Sequence, residues 1–100
     1  MRMSELETAV RQWHRDRGLL DVDEKAQFIA LVEEVAELGN AINIGTRDEV
    51  VDAVGDIMVI LTNITARRAV PLRDCYQAAY DEIRHRTGQM VDGRFVKDAA

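Results

Sequence analysis

The chain has 100 residues, a formal net charge of −5, and 47% hydrophobic against 31% charged residues. That length suits one domain spanning residues 1–100, the balance suits a folded globular chain rather than a disordered one, and the acidic excess argues against stable nucleic-acid binding, which needs segregated basic residues. The longest strictly apolar run, Ile57 to Leu61, is too short for a membrane span, Met1-Arg2-Met3-Ser4 lacks the apolar stretch of a leader, and the lone Cys75 excludes an internal disulfide or a thiolate cluster, so the expected location is the cytoplasm.

The first predicted helix runs from about Glu5 to Arg17. Ser4 and Glu7 have the spacing of a capping box, Leu6, Val10 and Trp13 recur at helical spacing, and Gly18 ends the helix. The second runs from about Glu24 to Ile44, with Asp21 or Asp23 as cap and Gly45 as stop. Its apolar stripe is Phe28, Leu31, Val32, Val35, Leu38 and Ile42. The third opens at Thr46, with a capping box through Glu49, and continues to about Arg68. Val50, Val54, Ile57, Met58, Leu61 and Ile64 form its main stripe, with Val51, Val59 and Ile60 outside it. A helix apolar on several sides is expected to be buried on several sides. The fourth starts after Pro71, runs to about Thr87 with a weaker stripe of Leu72, Cys75, Ala79 and Ile83, and stops at Gly88. In the tail, Gln89 to Ala100, Asp92-Gly93 is a turn signal that predicts an extended arm or a small hairpin. Short connections predict antiparallel neighbours. The expected fold is all-α, a four-helix bundle-like chain with a short extended C-terminal tail. The many-sided third helix predicts a homo-oligomer, either a dimer or a tetramer built as a dimer of dimers.

Two segments carry chemistry. On the second helix, Glu33 and Glu37 are four apart and Glu34 and Glu37 three apart, so either pair can converge on one ion. By itself this run reads as a solvated acidic face. The third helix changes the balance. Asp52, Asp56 and Asn63 fall on one face, set among valines, isoleucines and leucine. Aspartate is a poor helix-interior residue, and a buried carboxylate is normally paired or bound to metal. Pairing with Arg67, Arg68 or the arginines of the fourth helix is the alternative, and it leaves the acids of the second helix unexplained. An antiparallel hairpin turning at Gly45-Thr46 brings Glu37 to the height of Asp52 and Asp56. Like charges held that close repel unless cations compensate them. Donors that are all oxygen favour Mg²⁺, with Mn²⁺ as a substitute, over zinc. The chemistry such a site supports is metal-assisted phosphoryl transfer to water, with one carboxylate as general base. Glu82 and His85 form a single E-x-x-H, where a di-iron bundle needs two, and read as a surface pair.

The pattern Glu33-Glu34-x-x-Glu37, fourteen residues, then Asp52-x-x-x-Asp56 resembles the signature of the MazG-like all-α nucleotide pyrophosphohydrolases, E-E-x-x-E followed after a variable gap by E-E-x-x-D. The segments Trp13 to Leu19, Gly55 to Leu61, and Ala79 to Arg84 leading into Arg86 to Lys97 resemble the small stand-alone and phage-type members, so the likeness covers nearly the whole chain. The resemblance implies Mg²⁺-dependent hydrolysis of nucleoside triphosphates, deoxynucleotides included, to monophosphate and pyrophosphate in a house-cleaning or nucleotide-pool role. It implies Glu33 or Glu34, Glu37, Asp52 and Asp56 as metal ligands or base, with Glu34 and Glu37 as the catalytic pair, and subunit contacts that complete the pocket. Two departures stand out. Asp52 is shorter than the Glu of the signature, and Ala53 has no donor where the signature has a second acid. They leave, as the alternative, a catalytically weak or inactive helical oligomerisation module with a vestigial cation site. Asp81 stands where relatives often have Asn. Arg84, Arg86, Arg94 and Lys97 are candidates for holding phosphates, against a solvated basic helix end. Trp13 is a candidate for stacking on a base, against a core aromatic. Asn63 is a candidate nucleotide contact, against a buried structural amide.

Overall fold

The computed structural model describes residues 1–99; the last residue of the expected tail, Ala100, lies outside the described residues. The elements in chain order are α1 (Met3–Asp16), α2 (Glu24–Ile44), α3 (Arg47–Ala66), α4 (Leu72–Ile83), β1 (Gly88–Val91) and β2 (Arg94–Lys97).

Local chemistry sets most of the boundaries. The Asp23 carboxylate accepts from the Lys25 backbone N–H at 2.9 Å and caps α2. Gly45, at φ +80°, closes the same helix by donating its N–H to the Ala41 carbonyl. α3 follows an extended Thr46 whose hydroxyl makes no capping bond, so the expected Thr46/Glu49 box does not form. α1 begins two residues before the expected start. The Glu5 carboxylate accepts from the Arg2 backbone N–H at 3.4 Å, and Ser4 lies inside the first turn with its carbonyl bonded by the Thr8 hydroxyl. Glu7 accepts instead from Arg11 and from the backbone N–H of Leu72, which dissolves the expected Ser4/Glu7 box. α4 ends at Ile83, four residues short of Thr87. Beyond it the tail is a hairpin pairing Gly88 with Lys97 through Val91 with Arg94. Its turn has positive φ at both Asp92 and Gly93, the arrangement of a two-residue type I′ loop.

The centre of the fold is the antiparallel hairpin of α2 and α3. The helices approach closely at Ala41 and Ala53, the only buried hydrophobic residues among those described. The face α2 turns inward carries Leu31, Glu34, Leu38 and Ala41. That corrects the expected stripe: Phe28, Val32, Val35 and Ile42 are each more than half exposed in the single chain. α1 lies against the second half of α3 through His14, with Val10 part-buried on the same face and Glu7 and Arg11 bonded to Leu72 and Val70 beyond α3, while Leu6 and Trp13 face largely outward. Hydrogen bonds rather than apolar spacing choose that face. α4 is exposed along its length apart from Leu72. The four helices therefore do not close into a bundle within one chain. The radius of gyration is 16.2 Å, against about 13 Å for a compact 100-residue domain. No described helix is long and apolar enough to cross a membrane.

Candidate metal and phosphate site between α2 and α3

Antiparallel packing about the Gly45-Thr46 turn sets the acids of α2 opposite those of α3. A groove of about 380 Å³ runs between the helices, lined by Glu33, Glu34, Glu37, Ala41, Glu49, Asp52, Ala53 and Asp56. All five predicted carboxylates are in it. Ala41 and Ala53 form its floor, where their methyl groups let the backbones meet and bring the acids of the two walls within reach of one another.

Glu34 is the electrostatic centre. It is half-buried on the inner face of α2 and lines the groove opposite Asp56. Its pKa is raised above the ordinary 4.5, first by desolvation and then by the charges of Asp56, Glu37 and Glu33. No cationic side chain lines the groove. Among the described residues no three carboxylate, imidazole or thiolate groups are drawn together tightly enough to clasp an ion in their present rotamers. The acids stand spread along the two walls instead. In donor chemistry they fit Mg²⁺ or Mn²⁺, since every available ligand is a carboxylate oxygen.

The expectation that Asp52 and Asp56 are embedded in apolar surroundings is corrected: both are exposed in the single chain. Their neighbours Val51 and Val54 are also exposed, because the first half of α3 is covered by α2 alone. Asn63 shares their helical face but lies two turns beyond Asp56 and outside the groove. It is 0% exposed, and its amide is fully engaged. The Nδ2 group donates to the Leu19 carbonyl at 3.1 Å and to His14 Nδ1 at 3.3 Å, while Oδ1 accepts from Arg67 Nε at 2.8 Å. Asn63 is a structural amide, and its role as a nucleotide contact is withdrawn.

The other predicted substrate residues are not brought to the groove. Trp13 is half-exposed on α1, with the Arg17 guanidinium 4.2 Å above its ring and the His14 imidazole at its edge. Asp81 accepts from Gln77 on α4. Arg84 lies over the Tyr80 ring, and Arg86 pairs with Glu82 at 3.2 Å. Arg94 and Lys97 sit at opposite ends of β2. Glu49, which the motif reading passed over, does line the groove. Its signal was available in the spacing, three residues before Asp52 and seven before Asp56.

The hairpin of α2 and α3 thus presents opposed rows of carboxylates across one groove. Residues 6–82 match the family model described as phosphoribosyl-ATP pyrophosphohydrolase, and the chain belongs to that family. It is thus a hydrolase of phosphoric anhydride bonds in nucleotides. No curated protein and no solved structure matches the chain significantly.

Proposed function

We propose that the chain hydrolyses the anhydride between the α- and β-phosphates of a nucleoside triphosphate group, releasing pyrophosphate, in a Mg²⁺-dependent reaction at the α2/α3 groove. The observation that carries this reading is the convergence of Glu33, Glu34, Glu37, Asp52 and Asp56 on one groove, with no cationic side chain lining it, in a chain of this family. An anionic triphosphate binds to such a surface only through a cation. Glu33, Glu34, Glu37, Asp52 and Asp56 are the residues that would hold Mg²⁺, or Mn²⁺ in its place. The bound cation supplies positive charge for the phosphate oxygens. Glu34, held across the groove from Asp56, is the candidate general base. Its carboxylate takes the proton as water attacks the α-phosphorus, the α–β anhydride breaks, and pyrophosphate leaves. Glu37, one turn on, orients the water or holds the cation.

The family description makes phosphoribosyl-ATP the first substrate to test, and ordinary ribo- and deoxynucleoside triphosphates the second. We further infer that the outward stripe of Phe28, Val32, Val35 and Ile42 packs against a second copy, since a contiguous apolar face of this kind marks an interaction surface. Assembly of this kind would cover the open side of the groove and offer it arginines from another subunit.

The test is pyrophosphate release from phosphoribosyl-ATP and from a panel of triphosphates, with Mg²⁺, with Mn²⁺ and with chelator. Metal-dependent release from one or more substrates is the expected result, and the panel ranks them. No release from any substrate with either metal would sink the proposal and leave a helical module with an inactive cation site.

A further inference from the structure

The β1–β2 hairpin lies beyond residues 6–82, the segment that the family model covers. Every residue of both strands is exposed, and the strands pack chiefly on each other. A two-stranded hairpin is marginal by itself in water, yet this one is firmly built. Asp92-Gly93 supplies its turn. The Phe95 ring lies over Gly88, where an added Cβ would stand 2.7 Å from its Cζ atom. At the open end the Thr87 hydroxyl donates to the Asp98 carboxylate at 2.7 Å, and the Asp98 N–H to the Thr87 carbonyl at 2.9 Å. That last bond fixes the phase of the ladder. Bonded and non-bonded pairs alternate between antiparallel strands, so Gly88/Lys97 and Met90/Phe95 are the non-bonded pairs. The backbone N–H and C=O groups of Gly88 and Met90 therefore point away from β2, along a free edge. The two edges of the hairpin differ. β2 carries Arg94 and Lys97, charges of the kind that keep an edge unpaired. β1, Gly-Gln-Met-Val, carries no charge and no proline. Among the described residues there is no third strand to cover it.

We propose that the β1 edge pairs with the β1 edge of a second copy, antiparallel about a two-fold axis at Gln89, to form a four-stranded sheet. In this register Met90 lies beside the partner's Gly88, the largest side chain of the strand beside the smallest. Met90 and Phe95 share a face of the hairpin, so the pairing gathers both residues of both chains on one face of the sheet. The arrangement is self-complementary and it closes, leaving only the charged β2 edges outermost. Pairing of β1 with a second copy's β2 would leave a bare β1 edge at one end, free to add further copies without limit. The contact depends neither on the carboxylate groove nor on the outward stripe of α2.

The experiment uses full-length single-cysteine chains in a Cys75→Ser background, mildly oxidised and read on non-reducing gels. Across the two-fold axis Gln89 faces its own counterpart in a non-bonded pair, whose Cα separation of about 4.5 Å lies within disulfide reach. Gln89→Cys is expected to crosslink into covalent dimers. Val96→Cys, on the same face but on the outer strand, stands three strand spacings from its counterpart, roughly 14 Å, and should stay uncrosslinked. Met90→Lys, added to Gln89→Cys, places a charge on the edge and should abolish the crosslink, with far-UV circular dichroism checking that the helices persist. Equal crosslinking of Gln89→Cys and Val96→Cys would reduce the contact to random collision and overturn the proposal. A crosslink that survives Met90→Lys would overturn pairing through this edge. No crosslink in Gln89→Cys would overturn it as well, and would leave the edge to a partner other than a second copy.

Discussion

Asn63 and Asp56 stand two turns apart on one face of α3, yet their surroundings are opposite in kind. Around Asn63 strong donors meet acceptors. Arg67 donates to Asn63, to the Leu19 carbonyl at 2.8 Å and to the Val22 carbonyl at 2.7 Å. His14 Nε2 donates to the Val59 carbonyl at 2.9 Å, so its Nδ1 is the acceptor for the Asn63 amide. Nearby, Arg68 holds Glu24 with two hydrogen bonds and keeps its carboxyl below the usual range. Around Asp56 there are acids facing acids, and the Glu34 carboxyl is pushed the other way. The first region joins α1 and the α1–α2 loop to α3. The second contributes nothing to folding that apolar side chains would not do better. Mutually repelling groups held in one place cost stability, and that cost is the physical ground on which the groove is proposed as the reaction site.

The comparison breaks most sharply at Asp56. Asp56→Asn is expected to reduce pyrophosphate release by at least about a hundredfold, the scale of losing an electrostatic group from a reaction centre. It should also raise the melting temperature in chelator, because a repulsion is removed. A variant that melts lower than the parent under those conditions would show that Asp56 supports the fold. Asn63→Ala should do the reverse. Leaving His14 Nδ1 and Arg67 Nε short of a buried partner costs about 2 kcal/mol, read in urea denaturation, with groove metal affinity little changed if the fold holds. Saturating Mg²⁺ should raise the parent's melting temperature by binding the folded state, and should shift Glu34→Gln less.

A smaller effect is the pH dependence without metal. Glu34 has a raised folded pKa, so its contribution to stability is present below the unfolded value of about 4.5 and is lost as pH rises through the folded value. Glu24 has a lowered folded pKa, so its contribution is present above the unfolded value and is lost as pH falls through the folded one. In chelator, Glu34→Gln should therefore gain stability relative to the parent as pH rises from 4 toward neutrality, and Glu24→Gln should lose it. Melting curves across that range check both signs. The Glu24 change is expected to be the smallest of all, since exposed ion pairs contribute little.

The elements were legible because their signals are local. Asp23 caps and Gly45 stops α2 where chain-order reasoning places them, and Asp92-Gly93 forms the turn its dipeptide predicts. The carboxylate groove was legible because two short-range spacings lie on either side of one tight turn. The faces were not. Of the apolar stripe read on α2, Leu31 and Leu38 do lie on the face that meets α3, beside Glu34 and Ala41, while Phe28, Val32, Val35 and Ile42 point away from it. Leu6 and Trp13 likewise pointed to the outer side of α1, which is held through Glu7, Val10, Arg11 and His14. Periodicity ranks faces by hydrophobicity, but it does not say which partner each face meets.

What the sequence by itself determined is the number and order of the elements, the antiparallel sense of α2 and α3, and the meeting of their acids. Each of these follows from helical geometry and the length of one turn. Only the tertiary structure decided that Asn63 is locked in a buried network, that Asp52 and Asp56 are open to solvent, and that Glu49 faces the groove. Those outcomes depend on how close two backbones come and at what rotation, and small residues such as Ala41 and Ala53 settle that through contacts far apart in the chain.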